Sequence, residues 1–227
     1  MNLIQTLGNL YLQHANPQYA EQMSRYMKNR FPFFGMQSKQ REELNKKFFA
    51  ENGLPAYHVV KQLAPLLFEM PQREFHYFAI LAIVKHKKSW EVNDITLFET
   101  LLTTRSWWDS VDYINGSILS EFFVKYPEIM PAVTDAWSMH DNIWLKRSSI
   151  IFQLKYRKNT NLDLLTRHIE QNAATKEFFV QKAIGWALRE YSKTDPVWVE
   201  HFVKTHELKP LSRREALKRI EKTNAPS

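Results

Sequence analysis

DNIWLKRSSIIFQLKY (residues 141–156) and KEFFVQKAIGWALREY (residues 176–191) are two versions of one pattern. Tyr156 and Tyr191 stand 35 residues apart, as do Arg147 and Lys182. Weaker echoes begin at Phe75 and Trp108, so the aromatic starts at 75, 108, 144 and 178 step by 33, 36 and 34. A helix pair that recurs at this interval is the signature of an α-solenoid, in which each unit buries its apolar face only against its neighbours. The expected fold is therefore all-α: HEAT-like helical repeats of slightly short period, stacked as an ARM/HEAT-type superhelix with a concave groove. Such solenoids stack one helix of each pair along a concave wall, so Trp108, Arg147 and Trp186 are expected to line one groove although they lie far apart in sequence.

The rest of the chain extends the pattern. Only five glycines occur, and the ten prolines fall mostly between apolar-periodic segments. Strict apolar–polar alternation is almost absent, so strands are not expected. Helices are expected over residues 2–14, 17–30, 38 to about 47, 57–69, 73–85, 94–102 and 107–125. Further helices are expected over 131–138, 143–156, 162–171, 177–191 and 196–204, with a last basic helix after Ser212. No low-complexity stretch or linker interrupts residues 1–227, which reads as one domain.

LLTTRSWWDSVDY (residues 101–113) carries the chemistry. Ser106 followed by Asp109 has capping-box spacing, which predicts a helix from Trp107. Trp107, Val111, Ile114 and Ile118 recur at helical spacing as a core stripe. Trp108 lies one position round from that stripe, and Asp112 follows it by one turn on the same face. The cap and the core account for one tryptophan and one acid, leaving Trp108 and Asp112 as the candidate site. The plain alternative makes Asp112 one half of a structural ion pair with a nearby arginine, and Trp108 and Trp186 core residues.

Composition narrows the classes. The chain is 44% hydrophobic and 24% charged, a globular balance that argues against wholesale disorder. It has no cysteine, which removes disulfides and thiolate chemistry and suits a reducing compartment. The eight histidines show no two-histidine spacing for zinc on one helix face; His201 and His206, five apart, point differently. No Gly-rich phosphate loop and no GxSxG elbow occurs. No basic segment leads into an apolar core at the N-terminus, and no apolar run is long enough to span a bilayer. A soluble, cytoplasmic protein without metal or cofactor is expected. A net charge of +7 suits a polyanionic partner and equally a merely basic surface.

TTRSWWDSVDYI, the two repeat segments above, MSRYMKNRFPFFGMQS (residues 23–38) and the C-terminal PLSRREALKRI closely resemble the AlkD-type DNA alkylation-repair glycosylases. The resemblance runs nearly the full length, and the Trp-Trp-Asp segment is specific. It implies a metal-free, monofunctional DNA glycosylase of base excision repair, acting as a monomer on duplex DNA in the cytoplasm, at the nucleoid. The substrates it implies are cationic alkylated purines such as 3-methyladenine and 7-methylguanine. Trp108, Asp112 and Trp186 match the family's aromatic–acid–aromatic cleft. Arg147 matches the arginine that holds the backbone beside the lesion, and Tyr26 falls on the helix the family uses to grip DNA. Lys28, Gln37, Ser38, Lys182 and Arg189 complete the expected DNA contacts of a concave groove. Excision without flipping the base also follows from the resemblance alone. The alternatives are a non-catalytic HEAT-like DNA- or protein-binding scaffold and a protein-interaction solenoid without DNA affinity.

Overall fold

The computed structural model describes residues 3–224, and among them every regular element is helical. The chain divides between Arg105 and Ser106 into two compact units. The first holds α1 (Leu3–Gln13), α2 (Pro17–Tyr26), α3 (Ser38–Asn52), α4 (Tyr57–Glu69), α5 (Arg73–Lys85) and α6 (Ile95–Thr103). The second holds α7 (Trp108–Ile114), α8 (Ser120–Lys125), α9 (Met130–Met139), α10 (Ile143–Ile151) and α11 (Leu162–Asn172). It ends with α12 (Phe178–Tyr191), α13 (Pro196–Thr205) and α14 (Pro210–Asn224). Among the described residues, no helix is long and apolar enough to cross a membrane.

Local chemistry starts many of these helices. Asn16, Asn142, Asn161 and Asp195 each accept a backbone N–H of the first turn that follows. Pro17, Pro196 and Pro210 open their helices where the missing N–H costs nothing. Stacking then supplies the packing energy. In the second unit α10 packs between α7 and α12, and α12 packs on α14; behind them α9 packs on α11. This is the two-layer stack of helix pairs that a solenoid repeat requires. Phe75, Trp108, Trp144 and Phe178 all fall in the first turns of α5, α7, α10 and α12, so the aromatic period marks one helix of each pair.

The same interval returns in the polar contacts. Tyr156 donates to Ser120 O, 36 residues away, and Asn172 to Ser138, 34 residues away. In the first unit Tyr11 donates to Asn45 across 34 residues, and Tyr57 to Asp94 across 37. Each core is apolar. Tyr11, Phe48, Phe68, Phe75 and Phe78 are fully buried in the first unit, as are Val180, Ile184, Leu188 and Val199 in the second.

Several expected boundaries move. The catalytic-helix candidate starts at Trp108, with Trp107 as N-cap and no capping hydrogen bond from its side chain. The Ser106–Asp109 capping box is therefore out of register by one residue; Asp109 is instead an acid in the first turn, where the helix dipole favours it. The expected single helix over 107–125 opens into a π-helical turn at Asn115–Leu119. Asn115 and Gly116 are poor helix formers, and the Asn115 amide donates to Val111 O and to Ser148 Oγ of the next repeat. The second helix ends at Tyr26, because Lys28 and Asn29 both adopt left-handed φ (58° and 55°) and Phe31 precedes a proline. The helix expected to run to Tyr156 stops at Ile151, and the last helix starts before Ser212, at Pro210.

Candidate functional site

The second unit brings together residues from three successive repeats. Asp112 projects from α7, Arg147 from α10 and Trp186 from α12. Arg147 donates Nε to Asp112 Oδ1 at 2.8 Å and Nη2 to Oδ2 at 2.9 Å, a bidentate pair. Its Nη1 donates to Phe179 O at 2.7 Å, and its guanidinium carbon lies 5.7 Å from the Trp186 ring centre. Only 5% of the Arg147 side chain is exposed, against 21% for Asp112. The arginine is thus enclosed, and the carboxylate looks outward from it.

That outward side is a cleft of about 350 Å³, lined in part by Asp112, Tyr113, Asn115, Gly116, Lys155 and Trp186. Lys155 donates Nζ to Gly116 O, the carbonyl of the π turn, at 2.9 Å. Each oxygen of Asp112 accepts one N–H of Arg147, and a carboxylate oxygen has two lone pairs to offer. Burial pushes the Asp112 carboxyl above the ordinary aspartate range; Arg147 pulls it down and nearby Asp109 pushes it up. The arrangement is a partly desolvated carboxylate, fixed in orientation and flanked by an indole. It is suited to stabilising positive charge.

Trp107 and Trp108 are both half-buried. The Trp107 ring meets Trp144 at 5.7 Å and Phe179 at 4.9 Å, an aromatic cluster behind the site, while Val111, Ile114 and Ile118 are fully buried. Trp108 opens α7, half-buried, one turn before Asp112 on its face. Lys182 and Arg189, on α12, both reach Glu215 of α14, Lys182 at 3.0 Å. Lys182 first and Arg189 after it hold the Glu215 carboxyl below its usual range, with burial opposing. These two cations clamp α14 onto α12. A Cβ on Gly185 would stand 2.5 Å from Glu215 Cβ and 2.9 Å from Ser212 O, so only glycine lets the helices approach this closely.

The remaining candidates group in the first unit. Tyr26 ends α2 with 68% of its surface exposed, and Lys28 lies exposed in the turn beyond it. Gln37, the N-cap of α3, and Ser38, its first residue, are also exposed. The loop leading to them is fixed from below by Glu74, whose buried carboxylate accepts the N–H groups of Phe34, Gly35 and Met36 at 3.0–3.3 Å. Gly35 has φ +92°, and a Cβ there would meet Asn16 O at 2.1 Å.

Sequence reasoning missed Lys155, Asn115 and Glu74. Asn115–Gly116, a turn-type pair in the middle of an apolar-periodic stretch, was the available signal for the widened turn. Lys155 lies inside the quoted repeat but carries no local mark, and nothing near Glu74 announces a loop forty residues earlier in the chain. Among the described residues, no three His, Asp or Glu side chains gather as a metal-ligand group.

The model of a family described as DNA alkylation repair enzyme matches residues 9–220. A solved structure described as a predicted DNA alkylation repair enzyme from Enterococcus faecalis is 33% identical. The match covers 92% of this chain and 97% of that one, with a TM-score of 0.85. No curated protein shows a significant match.

Proposed function

The chain belongs to the DNA alkylation repair enzyme family, and we propose that it is an AlkD-type, monofunctional glycosylase that hydrolyses the N-glycosidic bond of cationic alkylated purines in duplex DNA. A role in repairing alkylated DNA follows from the family. The finer reading, with 3-methyladenine and 7-methylguanine as substrates, comes from the resemblance to AlkD-type glycosylases, and the chemistry of the cleft supports it. Its chief support is Asp112, a carboxylate held rigid by Arg147 and turned toward a cleft beside Trp186.

A purine that carries an alkyl-derived positive charge leaves as a neutral base. The bond between the sugar C1′ and the purine nitrogen breaks with its electron pair passing to the base, so no strong general acid is required. Positive charge then builds on the sugar. Asp112 opposes it, an effect worth about 3–4 kcal/mol when donor or acceptor groups are preorganised. Water adds its oxygen to C1′ and releases a proton to Asp112 or solvent. The Trp186 ring, and Trp108 on the Asp112 face, add cation–π attraction to the charged base, about 0.5–2 kcal/mol each. Arg147 serves this chemistry through Asp112: it orients the carboxylate and is too enclosed to be a main backbone contact. Tyr26, Lys28, Gln37 and Ser38 remain candidate DNA contacts of the first unit. Lys182 and Arg189 join them only with the charge left over from Glu215.

The second reading is a non-catalytic scaffold, favoured by the closeness of the Asp112–Arg147 pair, which also suits a purely structural role. Release of methylated base from alkylated duplex separates the two. The wild type should release base, and Asp112→Asn should lose roughly two orders of magnitude or more in single-turnover rate. Asp109→Asn, outside the cleft lining, should stay within a few-fold of wild type per folded molecule. A wild type that binds duplex yet releases no base establishes the scaffold reading instead.

A further inference from the structure

The cleft beside Asp112 has a second polar wall, the π turn Asn115–Leu119, from which Asn115, Gly116 and Ser117 line it. Ser117 stands five residues after Asp112. In an α-helix that spacing sets two side chains about 140° apart around the axis. The widened turn, in which Asn115 O accepts the Ser120 N–H, reduces that angle and brings Ser117 to the cleft that Asp112 also lines. Serine and threonine hydroxyls elsewhere in these helices fold back onto a carbonyl three or four residues earlier, as at Thr100, Ser120, Thr134 and Ser192. Ser117 makes no such bond, and among the described residues its hydroxyl has no hydrogen-bond partner. The turn holds a further acceptor without a partner, the buried Asn115 Oδ1, whose amide nitrogen is spent on Val111 O and Ser148 Oγ.

A hydroxyl and an amide oxygen without partners, beside a carboxylate, suit a molecule that donates hydrogen bonds better than an anion. The Lys155 ammonium at this wall is turned onto Gly116 O. Water donates twice. We propose that Ser117 Oγ and Asp112 together hold the water that attacks the sugar, which makes Ser117 a catalytic residue of the hydrolysis. One O–H of the water donates to Asp112, whose oxygens each keep a lone pair beyond the Arg147 bonds. The other O–H donates to Ser117 Oγ, and a lone pair of the water oxygen is left to face C1′. As the C1′–N bond breaks with its electron pair on the base, that lone pair forms the C1′–O bond and the first proton passes to Asp112. Holding the water in this attitude beforehand removes an orientational cost from the reaction. The inference rests on the glycosylase reading of the cleft and names for it the residue that orients the nucleophile.

The test compares wild type with Ser117→Ala on a duplex holding one 7-methylguanine, by single-turnover excision and by binding to the undamaged duplex. Ser117→Ala should excise roughly five- to tenfold more slowly at saturating enzyme, the loss of one hydrogen bond. Its half-saturation point and its affinity for duplex should match wild type. The same reactions in aqueous methanol read how the nucleophile is held. Methanol has one O–H where water has two, so it cannot donate to Asp112 and Ser117 at once. The wild type should therefore select water, and Ser117→Ala should form several-fold more of the methyl glycoside. That product ratio is set in each turnover and is independent of the fraction folded. An affinity that falls with the rate would make Ser117 a DNA contact and overturns the assignment, as does an unchanged rate or an unchanged product ratio. A wild type that releases no base fails the glycosylase reading itself, whereas equal base release by wild type and Ser117→Ala fails this inference alone.

Discussion

Asp112 works against its own surroundings. Burial raises its carboxyl above the usual aspartate range, with Arg147 pulling the other way. The folded protein therefore takes up the proton at a higher pH than the unfolded chain. This group's contribution to stability rises as pH falls through the folded value, and at neutral pH its ionisation is a cost. Activity follows the opposite sign, since only the carboxylate can oppose a sugar cation. Single-turnover excision should fall on acidification with a midpoint above that of an ordinary aspartate, while the protein is still folded by circular dichroism. An acid limb that tracks unfolding would mean that Asp112 is not the titrating group. The pair has a structural side as well. Asp112→Asn removes the cost of the buried charge and at the same time the counter-charge of the enclosed Arg147, two opposed effects on stability. A melting temperature close to wild type, with excision lost far beyond what any change in stability explains, is the expected combination.

At the scale of elements, α14 holds α12 in place, and α12 carries Trp186. Glu215 takes both Lys182 and Arg189, Ser212 Oγ donates to Gln181 O, and Gly185 removes the side chain that would keep the helices apart. Gly185→Ala brings two opposed effects. Alanine gains about 1 kcal/mol in helix propensity. Its methyl group, at 2.5 Å from Glu215 Cβ and 2.9 Å from a backbone oxygen, forces an overpacking cost of about 1–3 kcal/mol. Backbone yields less than a side-chain tip, so the second effect should win. Thermal unfolding should show net destabilisation, and excision should fall with it because Trp186 is the next residue. A Gly185→Ala variant more stable than wild type would show that α14 yields freely. The π turn at Asn115–Leu119 is the other element-level device. It re-aims the backbone so that Gly116 O meets Lys155 beside the cleft, which an unbroken α-helix would place differently.

For the molecule as a whole, the net charge of +7 is the property that reaches DNA first. Phosphate contacts release counterions, so affinity for duplex should fall steeply with salt and depend little on sequence. Titration of unrelated duplexes at several salt concentrations measures both, and a strong preference for one undamaged sequence would count against backbone-led binding. The enclosed Arg147 should contribute little to that slope. The absence of cysteine and of ligand-spaced histidines carries an expectation of its own: excision should survive prolonged treatment with EDTA. Activity lost to the chelator and restored by zinc or magnesium would show a metal requirement.

The sequence by itself determined what is local. Asparagine and aspartate caps, proline at first helical positions and a near-35-residue aromatic period all act within a turn or a repeat, so the helices and their stacking were readable from spacing alone. The shared face of Trp108 and Asp112 was readable for the same reason: a 3.6-residue turn places residues four apart together. Which partner each polar side chain takes was settled only by packing between repeats. Spacing left Asp112 open between an ion pair and a free acid, and the stack of α7 on α10 joined it to Arg147 in a bidentate pair that still faces a cleft. Lys182 and Arg189, expected from the sequence as DNA contacts, both pair with Glu215 of α14. Glu74 reaches a loop forty residues back, and Arg41 finds the ring of Tyr77 from another helix. Helix propensity and capping are energies of neighbours in sequence. Pairing and burial are energies of neighbours in space, which exist only once the repeats have stacked.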